Sequence, residues 1–238
     1  MLEANPRASR TVPFVSKAIG IQLAKVATKI MLGKSLKEQG LHGEAKLNHF
    51  AVKASVFPFL KLPGVDSILG PEMKSTGEVM GIDKEYGAAM WKAMSGAGMD
   101  LPTGGDVYIS VRDYDKESAA ELARAMIGVG FKIIATKGTA AAMREAGIPV
   151  ETVFRVSEKN VPDALSVMRE GRVKMIINTP TESSGARRDG YMMRRLAVEL
   201  QIPFFTTIEG AQAAVEAIKF AKGRTIEPVN LKTLFNKG

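Results

Sequence analysis

The sequence predicts an α/β protein built on a doubly wound parallel sheet of five strands. Three observations carry this. Short apolar runs at 106–111, 131–135 and 174–178 each stop at a polar cluster: Arg112-Asp113-Tyr114-Asp115-Lys116, Thr136-Lys137-Gly138-Thr139 and Asn178-Thr179-Pro180. Segments with helical spacing of apolar residues separate the runs. Five strand–helix units fit into about 120 residues, a rhythm that calls for parallel strands joined by right-handed crossovers.

The elements follow in chain order. Residues Met1 to Asn5 read as the end of a strand, with Glu3 and Asn5 on one face by alternation. Hard oxygen ligands on one face suit Mg²⁺, which usually also takes phosphate oxygens. Arg7 and Arg10 follow in a Pro-containing turn and are suited to meet such phosphates. Over 18–35, Ile19, Leu23, Val26, Ala27, Ile30 and Met31 recur at helical spacing, with Gly33 as the stop. This helix is expected to dock on something that precedes it. Residues 36–58 are mixed. They hold both histidines, His42 and His49, with no Asp or Glu at a ligand or triad spacing, so both read as surface or connector residues. Pro and Gly punctuate 57–81 too often for long elements. Residues 83–98 read as an amphipathic helix with Tyr86, Met90, Trp91 and Met94 facing inward.

The Gly-rich segment 95–105 is the expected domain boundary. Beyond it, strands are predicted at 106–111, 131–135, 151–155, 174–178 and 203–206, and helices at 116–128, 138–146, 160–170, 188–200 and 208–222. The carboxyl edge of such a sheet is where open α/β folds bind ligands. The groups gathered there suit a phosphate: Lys and Arg give charge, Thr gives hydroxyls, and helix N-termini give free N–H groups. The helix after Thr136 starts with a hydroxyl residue at its cap position. Lys116, at a helix start, opposes the dipole unless an anion sits between it and the N–H groups. The tail, 223–238, is polar and basic with an apolar patch at Val229, Leu231, Leu234 and Phe235, and has no assigned place.

Composition sets bounds. The chain has 238 residues, 45% hydrophobic and 24% charged, as in soluble globular proteins. No apolar run approaches the roughly 18 residues of a membrane helix, and the start lacks the long apolar core of a signal peptide. A cytoplasmic location is expected. With no cysteine, thiolate and disulfide chemistry are excluded, which fits a reducing compartment. The net charge of +8 favours anionic partners. Aromatic residues are only 6% and the basic residues are scattered, so neither a nucleic-acid stripe nor a membrane partner is expected.

Two longer motifs carry a resemblance. Asn5-Pro-Arg-Ala-Ser-Arg-Thr-Val-Pro-Phe-Val-Ser-Lys17 and Gly70-Pro-Glu-Met-Lys-Ser-Thr-Gly-Glu-Val-Met-Gly81 resemble the C-terminal part of the carbamoyl phosphate synthetase large subunit. The likeness runs from residue 1 to about 222 in the family's order. The chain looks like a fragment or one product of a split gene. The resemblance implies an ATP-grasp remnant at 1–35, a connector at 36–104, a methylglyoxal-synthase-like allosteric domain at 105–222 and a tail at 223–238. It implies Glu3 and Asn5 as metal ligands and Arg7 and Arg10 as phosphate contacts. Lys116, Thr136, Thr139, Arg155, Asn178 and Thr179 would be the effector-binding residues, for nucleotide monophosphates such as UMP or IMP. The complete enzyme would use ATP with Mg²⁺ or Mn²⁺; none is expected in this fragment alone. The expected partners are the rest of the large subunit and a glutamine amidotransferase small subunit, in an oligomer. The parent activity would be a ligase making carbamoyl phosphate from bicarbonate, glutamine nitrogen and ATP, for arginine and pyrimidine biosynthesis. The fragment alone is expected to be inactive.

Some positions depart from the family. Arg155 stands where Lys is frequent, which keeps the charge and changes its geometry. Ala54 and Phe204 stand where ornithine-binding members carry a carboxylate and a hydroxyl, so weak or no ornithine activation is expected. Pro180 and Gly190 stand where relatives often have hydroxyls, which implies a looser or retuned phosphate pocket. Two other readings are a stand-alone lyase of the methylglyoxal synthase type and an oligomerisation module. The lyase needs a carboxylate base beside the phosphate, for which Asp113, Asp115 and Asp189 are near in sequence. Its Gly-Asp-Pro-type loop is missing: the chain reads Thr181-Glu182-Ser183-Ser184-Gly185-Ala186.

Overall fold

The computed structural model describes residues 4, 6–62, 64–70, 74, 77–180 and 184–235. Strands β3 (Gly105–Ser110), β4 (Phe131–Thr136), β5 (Glu151–Val153), β6 (Val173–Asn178) and β7 (Phe204–Phe205) form one sheet in the order β5-β4-β3-β6-β7. Every pairing in it is parallel. This is the predicted five-stranded doubly wound sheet. The order reverses at β3, the first strand made, so the crevice between the ends of β3 and β6 is the switch point where such sheets bind ligands.

Alternation along the strands divides the core in two. Val107, Ile109, Ile133, Ala135, Met175 and Ile177 face one cluster, covered by α4 (Lys116–Gly128), α5 (Lys137–Glu145) and α8 (Ile208–Ala221). Tyr108, Ile134 and Ile176 face the other, covered by α6 (Ala164–Arg169) and α7 (Ser184–Glu199). Being buried on both faces is what makes these strands near-continuous apolar runs.

The first half holds what periodicity did not find. Strands β1 (Phe50–Val56) and β2 (Gly77–Asp83) pair antiparallel, Ala54 opposite Val79, across a stretch predicted to hold no long element. On them packs α3 (Tyr86–Gly96), inside the predicted 83–98 helix. The packing is close because it is made of small residues. A Cβ at Gly81 would stand 1.9 Å from the Ala89 carbonyl oxygen and 2.5 Å from the Ala93 nitrogen. On its other side α3 crosses α8, where a Cβ at Gly87 would come within 2.5 Å of Phe220. Met90, Trp91 and Met94 pack against the main core as expected. Tyr86 does not; it is 38% exposed and meets Phe50 edge to face instead.

The predicted single helix over 18–35 is two helices, α1 (Thr11–Ile19) and α2 (Leu23–Met31). Gly20 divides them in the left-handed region, φ 72°, with the Phe235 ring 2.9 Å from where its Cβ would be. Phe235 belongs to α9 (Leu231–Phe235), which gives the tail its place. His49 is likewise not a surface residue. It is buried, its Nε2 is 2.8 Å from the Ala18 carbonyl oxygen, and its ring meets Phe235 edge to face. His42 is exposed, as predicted. Leu23 and Val26 of α2 are half-buried, but Ile30 and Met31 are exposed, Met31 by 84%. The strand predicted at 1–5 lies largely outside the described residues, as does much of the 70–81 motif. Among the described residues no helix is long and apolar enough to cross a membrane.

Candidate functional site

A cavity of about 250 Å³ opens at the carboxyl ends of β3, β4 and β6. Each strand delivers its last polar residue to the rim. Ser110 ends β3, Thr136 ends β4, and Asn178 ends β6 with Thr179 after it. Arg112, Arg155 and Asp189 add charge to the wall, while Val156, Ala164 and Met193 make an apolar side.

The rim is tied by side chains. The Ser110 and Thr136 hydroxyls are 3.2 Å apart. The Arg112 amide donates to Thr179 Oγ1 at 3.0 Å, and the Val111 amide donates to Thr139 Oγ1 at 3.3 Å. Asn178 Nδ2 donates to the Ser110 carbonyl at 3.0 Å. Thr136 occupies the N-cap position of α5, as predicted, but its hydroxyl makes no bond to the helix. The first-turn N–H groups of α5 are therefore left without that side-chain acceptor, beside a cavity wall.

Four of the six predicted effector residues line the cavity: Thr136, Arg155, Asn178 and Thr179. Arg155 pairs with no carboxylate among the described residues, so its charge is available. The other two stand behind the wall. Thr139 is buried and serves the backbone at Val111. Lys116 is engaged 2.8 Å from Asp113, which supplies the anion that a cation at a helix start calls for. That pairing holds the Asp113 carboxyl below the usual carboxylate range.

Of the remaining predicted residues, Glu3 and Asn5 lie outside the described residues, and Arg7 and Arg10 are exposed. Among the described residues, Arg7 Nη1 donates to the adjacent Ala8 carbonyl. Among the described residues no cluster of three or more His, Asp or Glu side chains forms a metal site. Ala54 lies on β1 facing β2 and Phe204 on β7, in different sheets.

Several residues of the site were not singled out from sequence. Ser110 had the same strand-end signal as Thr136 and Asn178. Tyr108 lies two residues before it, on the same face. Tyr108 is 1% exposed, and its hydroxyl has no hydrogen-bond partner among the described residues. Burial pushes its ionisation up; the nearby Ser110 hydroxyl, engaged with Thr136, pulls the other way and is outweighed. Asp189 was considered only as a lyase base. It is buried, and its Oδ2 accepts from the Ser157 amide at 3.2 Å and the Ser157 hydroxyl at 2.7 Å. Arg194 was not singled out at all. Its Nη1 donates to Asn178 Oδ1 at 2.9 Å from a fully buried position. Gly190 leaves room for that bond, since a Cβ there would lie 2.8 Å from Arg194 Nη1.

The chain is similar to several known proteins. The model of the MGS-like domain family matches residues 118–206. The carbamoyl phosphate synthase large chain, C-terminal section, of Methanopyrus kandleri is 52% identical over 95% of this chain and 42% of its own length. That of Methanocaldococcus jannaschii is 51% identical over 98% of this chain and 39% of its own. The carbamoyl phosphate synthase large chain of Archaeoglobus fulgidus is 54% identical over 94% and 21%. The chain thus spans about two fifths of the length of the first two relatives. Among solved structures, methylglyoxal synthase from Elizabethkingia anophelis matches 48% of this chain and 79% of its own, at 17% identity and a TM-score of 0.39. Half-identity along nearly the whole chain, with the MGS-like match falling on the sheet that carries the cavity, gives the assignment: the chain belongs to the carbamoyl phosphate synthase large-chain family, corresponds to its C-terminal section and carries an MGS-like domain.

Proposed function

We propose that the cavity at the carboxyl edge of the sheet binds a nucleoside monophosphate such as UMP or IMP as an effector, and that the chain is the regulatory part of a carbamoyl phosphate synthase large chain. The observation that carries this is the convergence of Thr136, Arg155, Asn178 and Thr179 on one cavity beside the start of α5. A guanidinium with no carboxylate partner among the described residues, hydroxyls and helix N–H groups are the donors a phosphate takes. Lys116 and Thr139 complete the set, Lys116 by exchanging Asp113 for the phosphate. The apolar side at Val156, Ala164 and Met193 suits a flat base.

On this reading the parent enzyme is a glutamine-hydrolysing, ATP-dependent ligase that makes carbamoyl phosphate from bicarbonate for arginine and pyrimidine biosynthesis, in the cytoplasm. The division into 1–35, 36–104, 105–222 and 223–238 follows from it. So do the rest of the large subunit and an amidotransferase small subunit as partners, in an oligomer, and the inactivity of this chain alone. Glu3 and Asn5, with Arg7 and Arg10, would complete an ATP and Mg²⁺ or Mn²⁺ site in the whole enzyme.

Calorimetric titration of the purified chain with UMP and IMP tests the proposal, with the rise in melting temperature as a second readout. Binding without turnover is expected; failure of both nucleotides and of inorganic phosphate to bind would overturn it. The buried Asp189 carboxylate in the cavity wall favours a second reading, the lyase. Release of methylglyoxal on incubation with dihydroxyacetone phosphate would establish that reading instead.

A further inference from the structure

Helix α7 touches two things at once. Asp189 and Met193 line the cavity, and Arg194 holds Asn178 on its wall. From the same helix Arg194 reaches the segment between β1 and β2. Its Nε donates to Asp66 Oδ1 at 2.8 Å and its Nη2 to Asp66 Oδ2 at 2.7 Å. The Tyr191 hydroxyl donates to the Gly64 carbonyl at 3.0 Å. Arg195 Nη1 lies 3.4 Å from the carbonyls of Leu62 and Val65. Residues 191, 194 and 195 share one helix face, so α7 grips this segment along one side.

Arg194 is 2% exposed, among the largest fully buried side chains. A buried guanidinium is tolerated where it is paired and hydrogen-bonded. Here the fork is divided: two nitrogens on Asp66, the third on the amide of Asn178. Asn178 spends its own Nδ2 on the Ser110 carbonyl at the cavity rim. A ligand that draws Asn178 toward itself changes the third bond of Arg194, and the guanidinium, being planar, turns its other two donors with it.

We infer that Arg194 and Asp66 couple occupancy of the cavity to the 62–68 segment, Arg194 as a positioning residue for Asn178 and Asp66 as the segment's anchor. The inference rests on the effector reading of the cavity and adds the route by which occupancy leaves the domain. In sequence the segment precedes the 70–81 motif and β2. Coupling in this sense is a free energy shared by two sites, and it is reciprocal.

The test is hydrogen–deuterium exchange of the full chain with and without saturating UMP or IMP, read at the amides of 64–68. In the wild type, nucleotide slows this exchange by about tenfold, the stabilisation a closed local contact gives. In Asp66→Asn, which keeps the shape and loses the charge, nucleotide still binds and the slowing at 64–68 is lost. Should Asp66→Asn fail to fold, Arg194→Lys gives the same readout, since it keeps the charge and loses the fork. Reciprocity adds a binding readout: nucleotide affinity in Asp66→Asn falls by the same factor as the lost protection. Nucleotide binding with unchanged exchange at 64–68 in the wild type overturns the coupling and leaves the effector reading standing. An undiminished response in Asp66→Asn also overturns it. Absence of nucleotide binding to the wild type removes both.

Discussion

Arg194 and Asp66 stand 128 residues apart in the chain and meet as a two-pronged ion pair, with both carboxylate oxygens bonded and the guanidinium fully buried. Truncating the acid strands the base. Asp66→Ala is expected to destabilise the chain by about 3 kcal/mol, the lower end of the range for an unpaired buried charge, since Asp66 itself reaches solvent. Urea unfolding measures it. The pair also sets an acid limit. Burial alone would raise the Asp66 carboxyl, but the Arg194 guanidinium together with the Ser67 and Ile68 amides outweighs it and holds the carboxyl below its ordinary value. Its contribution is therefore present above the ordinary Asp value of about 3.9, and is lost as pH falls through the lower folded value. Asp66→Asn should lack that part of the acid transition.

Gly81 closes the second motif and lies under α3. A methyl there meets backbone rather than a side chain that can swing away, at 1.9 Å from the Ala89 oxygen. Gly81→Ala should cost at least about 3 kcal/mol, at the high end for overpacking, and thermal melting should show it. Gly98→Ala, at an open position, tests only backbone strain, because φ there is 79°. Its cost should be about 1 kcal/mol.

Tyr108 carries a buried hydroxyl without a hydrogen-bond partner among the described residues. Tyr108→Phe removes a desolvated polar group and should leave stability unchanged or raise it by about 1 kcal/mol. The pH profile checks the cause. Burial raises the phenol in the folded chain above its ordinary value near 10, so the unfolded chain ionises first. The tyrosine's contribution is full below that ordinary value and declines as pH rises from it toward the folded value. The variant's melting temperature should fall less between pH 9 and about pH 11 than that of the wild type.

Lys116 is held by Asp113, an exposed carboxylate 2.8 Å away whose own charge faces the cavity. Asp113→Asn removes a like charge from the path of an anion and frees the lysine. UMP should bind about three- to tenfold more tightly, with the gain shrinking as salt rises. Calorimetry at two ionic strengths separates this from a change in shape.

Much of the second half was legible because its strands are buried on both faces. Uninterrupted apolar runs such as Met175-Ile176-Ile177, bounded by polar strand ends, give away both the strand and its carboxyl edge. Thr136, Asn178 and Thr179 were marked by that edge as well as by resemblance, and Arg155 by resemblance only. The β1–β2 pair was not legible. Its strands alternate only partly, carry Gly77 and Gly81, and are joined by a long segment with no turn signal of a hairpin. The exposed reading of His49 failed for a related reason. Its partners, Ala18 and Phe235, lie at opposite ends of the chain, and local spacing carries no trace of either.

By itself, the sequence determined the parallel α/β half, the polar residues at the strand ends, and the resemblance that names the family, because these are properties of short runs and of long motifs. Only the tertiary structure decided which polar residues share the cavity. It kept Lys116 back on Asp113, enclosed Thr139, brought Tyr108, Ser110 and Asp189 forward, and set Arg194 between Asn178 and Asp66. Those choices depend on contacts between residues tens to more than a hundred positions apart, where burial and charge pairing, not spacing, fix the outcome.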